Sequence, residues 1–116
     1  MNNFAAGLRG QKIAEEYFLA RGDEILARNF RLRSGEIDII ARENSSGYII
    51  FIEVKFRTNE KFGLPREAVD FSKQQKIIRI AKHFIAENNL HDNDFRFDVI
   101  EILGNKLNHI ENAFGE

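Results

Sequence analysis

The sequence predicts an α/β domain built on one mixed sheet, in the order α-β-β-β-α-β. Three observations carry that expectation. Two segments place apolar residues at helical spacing, four runs are rich in Ile, Val and Phe, and turn chemistry joins the second and third of those runs. With 116 residues and an ordinary hydrophobic share of 43%, one domain over residues 1–116 is expected, with a single core and no wholesale disorder.

The first element is helical because Ile13, Ala14, Tyr17 and Phe18 form a stripe, and Gly22 stands where helices commonly stop. Strand character follows in three runs. Glu24 to Leu32 is the weakest of them. In Gly35 to Arg42, Ile37, Ile39 and Ala41 alternate with Glu36, Asp38 and Ile40, which would point the first three at the core. Tyr48 to Arg57 is the most apolar, and Asn44-Ser45-Ser46-Gly47 before it closes a hairpin. A loop from Thr58 to Arg66 holds Gly63 and the only proline, Pro65. Ile77, Ile80, Ala81, Phe84 and Ile85 then mark an amphipathic helix over Glu67 to Asn88, whose stripe is core packing. A last strand runs from Phe95 to Leu103, and a polar tail closes the chain. The second helix would be the right-handed crossover between two parallel strands.

Composition narrows the chemistry. Without cysteine there is no disulfide scaffold, no thiolate catalysis and no Cys-ligated metal. His83, His91 and His109 lack metal-ligand spacing and read as surface or packed histidines. No apolar run has the length of a membrane span and the N-terminus carries no secretory pattern, so a cytoplasmic protein without membrane contact is expected. The net charge of −1 conceals an asymmetry: +4 over residues 1–82 and −5 over residues 83–116. A basic body suits an anionic partner such as nucleic acid, although two solvated faces of opposite sign would look the same.

The third run supplies the candidate chemistry. Ile50, Ile52, Val54 and Phe56 make one apolar face, while Ile49, Phe51, Glu53, Lys55 and Arg57 make a face that turns charged midway. Charges inside a sheet need compensation, unless Glu53 and Lys55 simply fray into solvent at the strand end. Closing the hairpin on Asn44 to Gly47 pairs Glu43 with Tyr48, sets Asp38 opposite Glu53 and sets Glu36 opposite Lys55. Two facing carboxylates repel unless one is protonated or a cation lies between them. Oxygen ligands without Cys or His select a hard ion, Mg²⁺ or Mn²⁺. A lysine beside such an ion would orient a water and offset charge building on a phosphate. A slip of one residue would separate Asp38 from Glu53, so everything rests on this register.

Gly35-Glu36-Ile37-Asp38-Ile39-Ile40 followed by Phe51-Ile52-Glu53-Val54-Lys55 resembles the PD-(D/E)XK nucleases of restriction-endonuclease-like fold. More narrowly, the chain resembles the bacterial YraN family, small proteins similar to archaeal Holliday junction resolvases. The likeness takes in Gly7, Gly10, Ala14, Gly22, Asn29, Arg31, Gly63, Pro65, Glu67-Ala68-Val69, Lys73 and Arg96-Phe97-Asp98-Val99. It implies that Asp38 and Glu53 are metal ligands and Lys55 the catalytic lysine, with Glu36 assisting at the metal or positioning Lys55. Relatives carry a glutamate where this chain has Gln11, a candidate first-helix site residue. Glu15, one turn on, would substitute for that charge or simply be solvated.

Arg9, Lys12, Arg31, Arg33, Arg57, Lys73 and Lys76 make a candidate track for a nucleic-acid backbone, though singly each reads as a surface charge. Gly7-Leu8-Arg9-Gly10 would cradle a phosphate or, more simply, allow close chain approach. The expected function is a Mg²⁺- or Mn²⁺-dependent DNA endonuclease, with branched DNA the substrate that the resemblance implies and a homodimer the assembly to test. A catalytically weak nucleic-acid-binding module of the same fold is the rival, and Gln11 favours it. A protein-interaction domain using the acidic C-terminal part has no positive motif.

Overall fold

Helical spacing of small and aromatic residues brings α1 (Asn3–Ala20) down onto one face of a sheet. In this computed structural model, residues 3–57 and 69–115 are described, with side chains from Leu8 onward. The loop with Gly63 and Pro65, Glu67 and Ala68, and the side chains of residues 1–7 lie outside that description. After α1 come β1 (Glu24–Leu32), β2 (Gly35–Arg42), β3 (Ile49–Arg57), α2 (Phe71–Glu87), β4 (Phe95–Leu103) and β5 (Lys106–Phe114). The strands lie in the order β1-β2-β3-β4-β5; only β3 and β4 are parallel, and α2 crosses between them. No helix of the described residues is long and apolar enough to cross a membrane.

The sheet is buried on both faces. Toward α1, Ile39, Ala41, Ile50, Ile52, Ile100 and Ile102 pack with Ala14 and Phe18. Toward α2, Ile40, Ile49, Phe51, Phe97 and Val99 pack with Ile77, Ile80, Ala81, Phe84 and Ile85. The expected helical stripe is therefore core. At Gly10 the chains approach so closely that a Cβ would stand 3.3 Å from the Phe56 ring, so close packing of α1 on β3 accounts for this glycine.

Three sequence expectations change. The second helix begins at Phe71 and not at Glu67, because Asp70 is extended and caps it, its Oδ1 accepting from the Lys73 N–H at 2.9 Å. The polar tail is a strand: β5 turns back on β4 through Gly104-Asn105, with Gly104 at φ +62°, and its few apolar residues suffice because β4 supplies the ladder. Strict alternation in β2 also fails. Ile39 and Ala41 face α1, whereas Ile37 packs with the α2 cluster. The neighbouring β1 shows the cause. Arg28 and Asn29 both reach α1, at Glu15 and Gln11, and then Phe30 stacks edge-on against Phe84 of α2. Asn29 makes that reversal in the left-handed region, at φ +50°, which asparagine tolerates better than most side chains.

The hairpin end of the sheet is held by charge. Arg96 at the start of β4 clamps Glu43 with two bonds of 2.9 and 2.8 Å and also reaches Asp98, which is fully buried. Arg21, after α1, donates to Glu43 at 2.7 Å. Bonding to Arg96 holds the Glu43 carboxyl down at about 2. Burial would raise Asp98, but hydrogen bonds with His109, Arg96 and the Asn112 N–H outweigh it and keep that carboxyl low. His109 takes a definite tautomer. Arg21 Nη1 can only donate to Nδ1, so Nε2 carries the proton and donates to Asp98 at 2.7 Å. His109 is thus the packed histidine expected, and His83 and His91 are exposed.

Candidate active site

The charged residues of β3 lie at the opposite end of the strand from this clamp. The hairpin register is the one the turn predicts: Arg42 pairs with Ile49 and Ile39 with Ile52, while the Glu43 N–H donates to Tyr48. Beyond Ile39 and Ile52 the regular pairing stops. Asp38 Oδ2 accepts from the Val54 N–H at 2.8 Å, so its side chain takes the place of a backbone carbonyl. That bond ties the Asp38 carboxylate to the residue following Glu53.

Glu53 continues the face of Ile49 and Phe51, toward α2, and is buried at 4% exposure. Its Oε2 lies 3.3 Å from Lys73 Nζ in the first turn of α2, and its Oε1 is buried with no partner among the described residues. Burial, and next the charge of Asp38, push Glu53 up to about 7, against the downward pull of Lys73. Burial likewise raises Asp38, opposed by the Val54 N–H and Lys73. Lys55 is lowered by burial and by the neighbouring charge of Lys73. Burial is the first cause of all three shifts, since it disfavours the charged forms of Asp38, Glu53 and Lys55 alike.

Asp38, Glu53 and Lys55 are therefore brought together as the sequence predicts, and Lys73 joins them. Sequence reasoning placed Lys73 on a substrate track. Its contact with Glu53 depends on where the crossover sets down the start of α2, which no local pattern reveals. Glu36 adds its charge to those that raise Asp38. It pairs with Arg31 across β1–β2, and Arg31 donates to its Oε2 at 3.1 and 2.7 Å.

The remaining candidates disperse. Arg57 donates to the fully buried Glu101 at 2.7 Å, and Glu101 is the parallel-strand partner of Lys55. Arg33 is exposed in the β1–β2 turn, Lys76 is exposed on α2 near Lys73, and Arg9 and Lys12 are exposed on α1. Of the seven cations, Arg9 and Lys12 stand on α1, Lys73 and Lys76 on α2, Arg31 and Arg33 in β1 and the turn after it, and Arg57 at the end of β3. Gln11 belongs to the α1 layer too. Its amide is matched to that of Asn29, with bonds of 2.9 and 3.1 Å running in opposite directions. Glu15 is spent on Arg28.

Among the described residues no three His, Cys, Asp or Glu side chains gather as a self-sufficient metal cage. Mg²⁺ does not require one, since one or two carboxylates, waters and a substrate phosphate complete its shell. The partnerless Glu53 Oε1 and the carboxylate of Asp38 are the donors that fit such an ion.

Residues 10–102 match the family model described as "Uncharacterised protein family UPF0102". The UPF0102 protein of Clostridioides difficile (strain 630) is 51% identical, the alignment covering 98% of this chain and 100% of that one. Those of Caldanaerobacter subterraneus and Thermodesulfovibrio yellowstonii are 47% and 44% identical, each over 98% of this chain and over 98% and 99% of their own lengths. Among solved structures, a repair endonuclease from Pyrococcus abyssi aligns with a TM-score of 0.49 and 15% identity, over 97% of this chain and 42% of that one.

Proposed function

We propose, from the premise that this chain belongs to the UPF0102 (YraN) family, that it is a divalent-metal-dependent DNA endonuclease with a restriction-endonuclease-like core. The observation that carries this reading is Glu53, a buried carboxylate raised to about 7 with one oxygen unpartnered, beside Asp38, Lys55 and Lys73. Glu43 and Asp98, at the other end of the sheet, have both oxygens bonded, and the Asp23 Oδ2 that lacks a hydrogen bond there lies 3.2 Å from Arg21 Nε.

Asp38 and Glu53 would hold Mg²⁺ or Mn²⁺, which when bound supplies Lewis-acid polarisation of the phosphate. The Val54 N–H fixes the Asp38 carboxylate, so that ligand is oriented in advance. Lys55 would face the phosphate, stabilise the charge that builds on its oxygens and orient the attacking water. Lys73 neutralises Glu53 while no metal is bound and would turn to the phosphate once Glu53 takes one up.

The rival reading, a binding module of the same fold, draws on Gln11. Its side chain carries no charge and is committed to Asn29. A cleavage panel of linear, single-stranded and four-way DNA, run with and without Mn²⁺ and beside a calorimetric Mn²⁺ titration, decides between them. Metal-dependent cleavage that Glu53→Gln abolishes supports the nuclease. Tight DNA binding with neither metal uptake nor cleavage supports the module.

A further inference from the structure

Next to the carboxylates lies a cavity of about 410 Å³, between the β1–β2 turn and the first turns of α2. That volume falls within the range of small-ligand sites, about 300–1,000 Å³. Lys73 forms part of its wall, and the same ammonium contacts Glu53 Oε2 at 3.3 Å. Whatever fills the cavity therefore adjoins whatever is held at Glu53. The base is apolar, made by the buried Ile77 and Ile80. Ser34, Glu36, Asp70, Ser72 and Lys76 complete the lining; the Glu36 carboxylate is bonded to Arg31 and that of Asp70 to the Lys73 N–H.

A bare phosphate would pair with Lys73 and Lys76 but leave the apolar base of Ile77 and Ile80 uncovered. The lining suits a nucleoside, whose ring and sugar would cover Ile77 and Ile80 while its polar edges meet Ser34, Ser72 and Lys76. A paired base stacked within a duplex cannot present its ring to a concave site, so it must be unpaired already or be flipped out at a cost. We propose that the cavity receives one unpaired deoxynucleoside beside the phosphate held at Asp38 and Glu53. The substrate is then DNA carrying an unpaired nucleotide at the cleavage position, rather than uninterrupted duplex. This inference rests on the nuclease reading above.

The test compares two labelled duplexes of one length, fully paired or with a single extra unpaired adenosine, by fluorescence anisotropy in Ca²⁺ and by cleavage in Mn²⁺. Wild type should bind the bulged DNA at least about tenfold more tightly, because an unpaired base spares the unstacking cost. Ser72→Trp and Ser34→Trp, at exposed positions on two separate elements, fill the cavity from its rim; each should bring that ratio down to about one, and melting curves identify any variant that fails to fold. Free deoxyadenosine should compete with the bulged DNA better than inorganic phosphate does. Equal affinity of wild type for both duplexes, a ratio that survives in both folded tryptophan variants, or stronger competition by phosphate would each overturn the nucleoside site. Metal-dependent cleavage of both duplexes alike would overturn the cavity's role and leave the nuclease standing. Failure to cleave or bind either DNA would overturn both.

Discussion

Asp38 and Glu53 oppose each other's ionisation, and this makes their removal informative. Asp38→Asn keeps an oxygen that can accept from the Val54 N–H, and Glu53→Gln removes a buried charge. Each variant should weaken Mn²⁺ binding in calorimetry while metal-free thermal stability at pH 8 holds or rises. Wild-type affinity in both would remove them from the metal site. Lys55 differs because its part is in the reaction. Lys55→Ala should leave metal affinity nearly intact and slow single-turnover cleavage by about 10²–10³, as loss of a charge stabiliser typically does. An undiminished rate would leave Lys55 as a strand-end lysine.

Between elements, the pairing of α1 with β1 decides what Gln11 does. The matched amides of Gln11 and Asn29 hold the first helix to the strand where Asn29 reverses the chain's facing. Gln11→Glu keeps the acceptor for Asn29 Nδ2 but loses the donor to Asn29 Oδ1. The expected result is a loss of at most about 1 kcal/mol in denaturant unfolding, since the pair is exposed, with Mn²⁺ affinity unchanged. Tighter Mn²⁺ binding in this variant would show instead that position 11 reaches the metal, and that the glutamine is what weakens the site.

Across the whole molecule, two ends of one sheet respond to pH in opposite senses. Glu53 has its pKa raised from 4.5 to about 7 in the fold, so the folded state binds its proton more tightly than the unfolded chain does. Its contribution is therefore lost as pH climbs from 4.5 through about 7. Glu43 is lowered from 4.5 to about 2, so its contribution is present above 4.5 and is lost as pH falls toward 2. Metal-free protein should accordingly melt highest near pH 5, and Mg²⁺ should flatten the alkaline limb by holding Glu53 ionised. Glu53→Gln should flatten that limb without metal; an unchanged limb would mean that Glu53 is not its source. The clamp itself is tested by Arg96→Ala. Removing one partner from buried Glu43 and Asp98 should cost about 3–5 kcal/mol in denaturant unfolding, and a loss below 1 kcal/mol would show that Arg21 and His109 suffice.

The sequence by itself determined the bounds of β1 and β2, the parallel crossover and the hairpin register as far as Ile39 and Ile52, because these follow from local information. Side-chain alternation and a four-residue turn, Asn44 to Gly47, leave the hairpin one register that buries its apolar residues; it ends at Ile39 and Ile52, and the Val54 N–H then holds Asp38 beside Glu53. The motif residues were legible for the same reason: a carboxylate and a lysine interrupting an apolar strand are visible without a fold. Tertiary structure alone decided the rest. Lys106 to Phe114 becomes a strand because β4 offers it an unpaired edge, not because its own composition demands it. Ile37 turns to α2 because Asn29, on the adjoining strand, adopts a left-handed conformation. Lys73 joins Glu53, and Arg96 joins Glu43, across 20 and 53 positions of chain, where buried charges find the nearest opposite charge that the packing of helices on the sheet brings within reach.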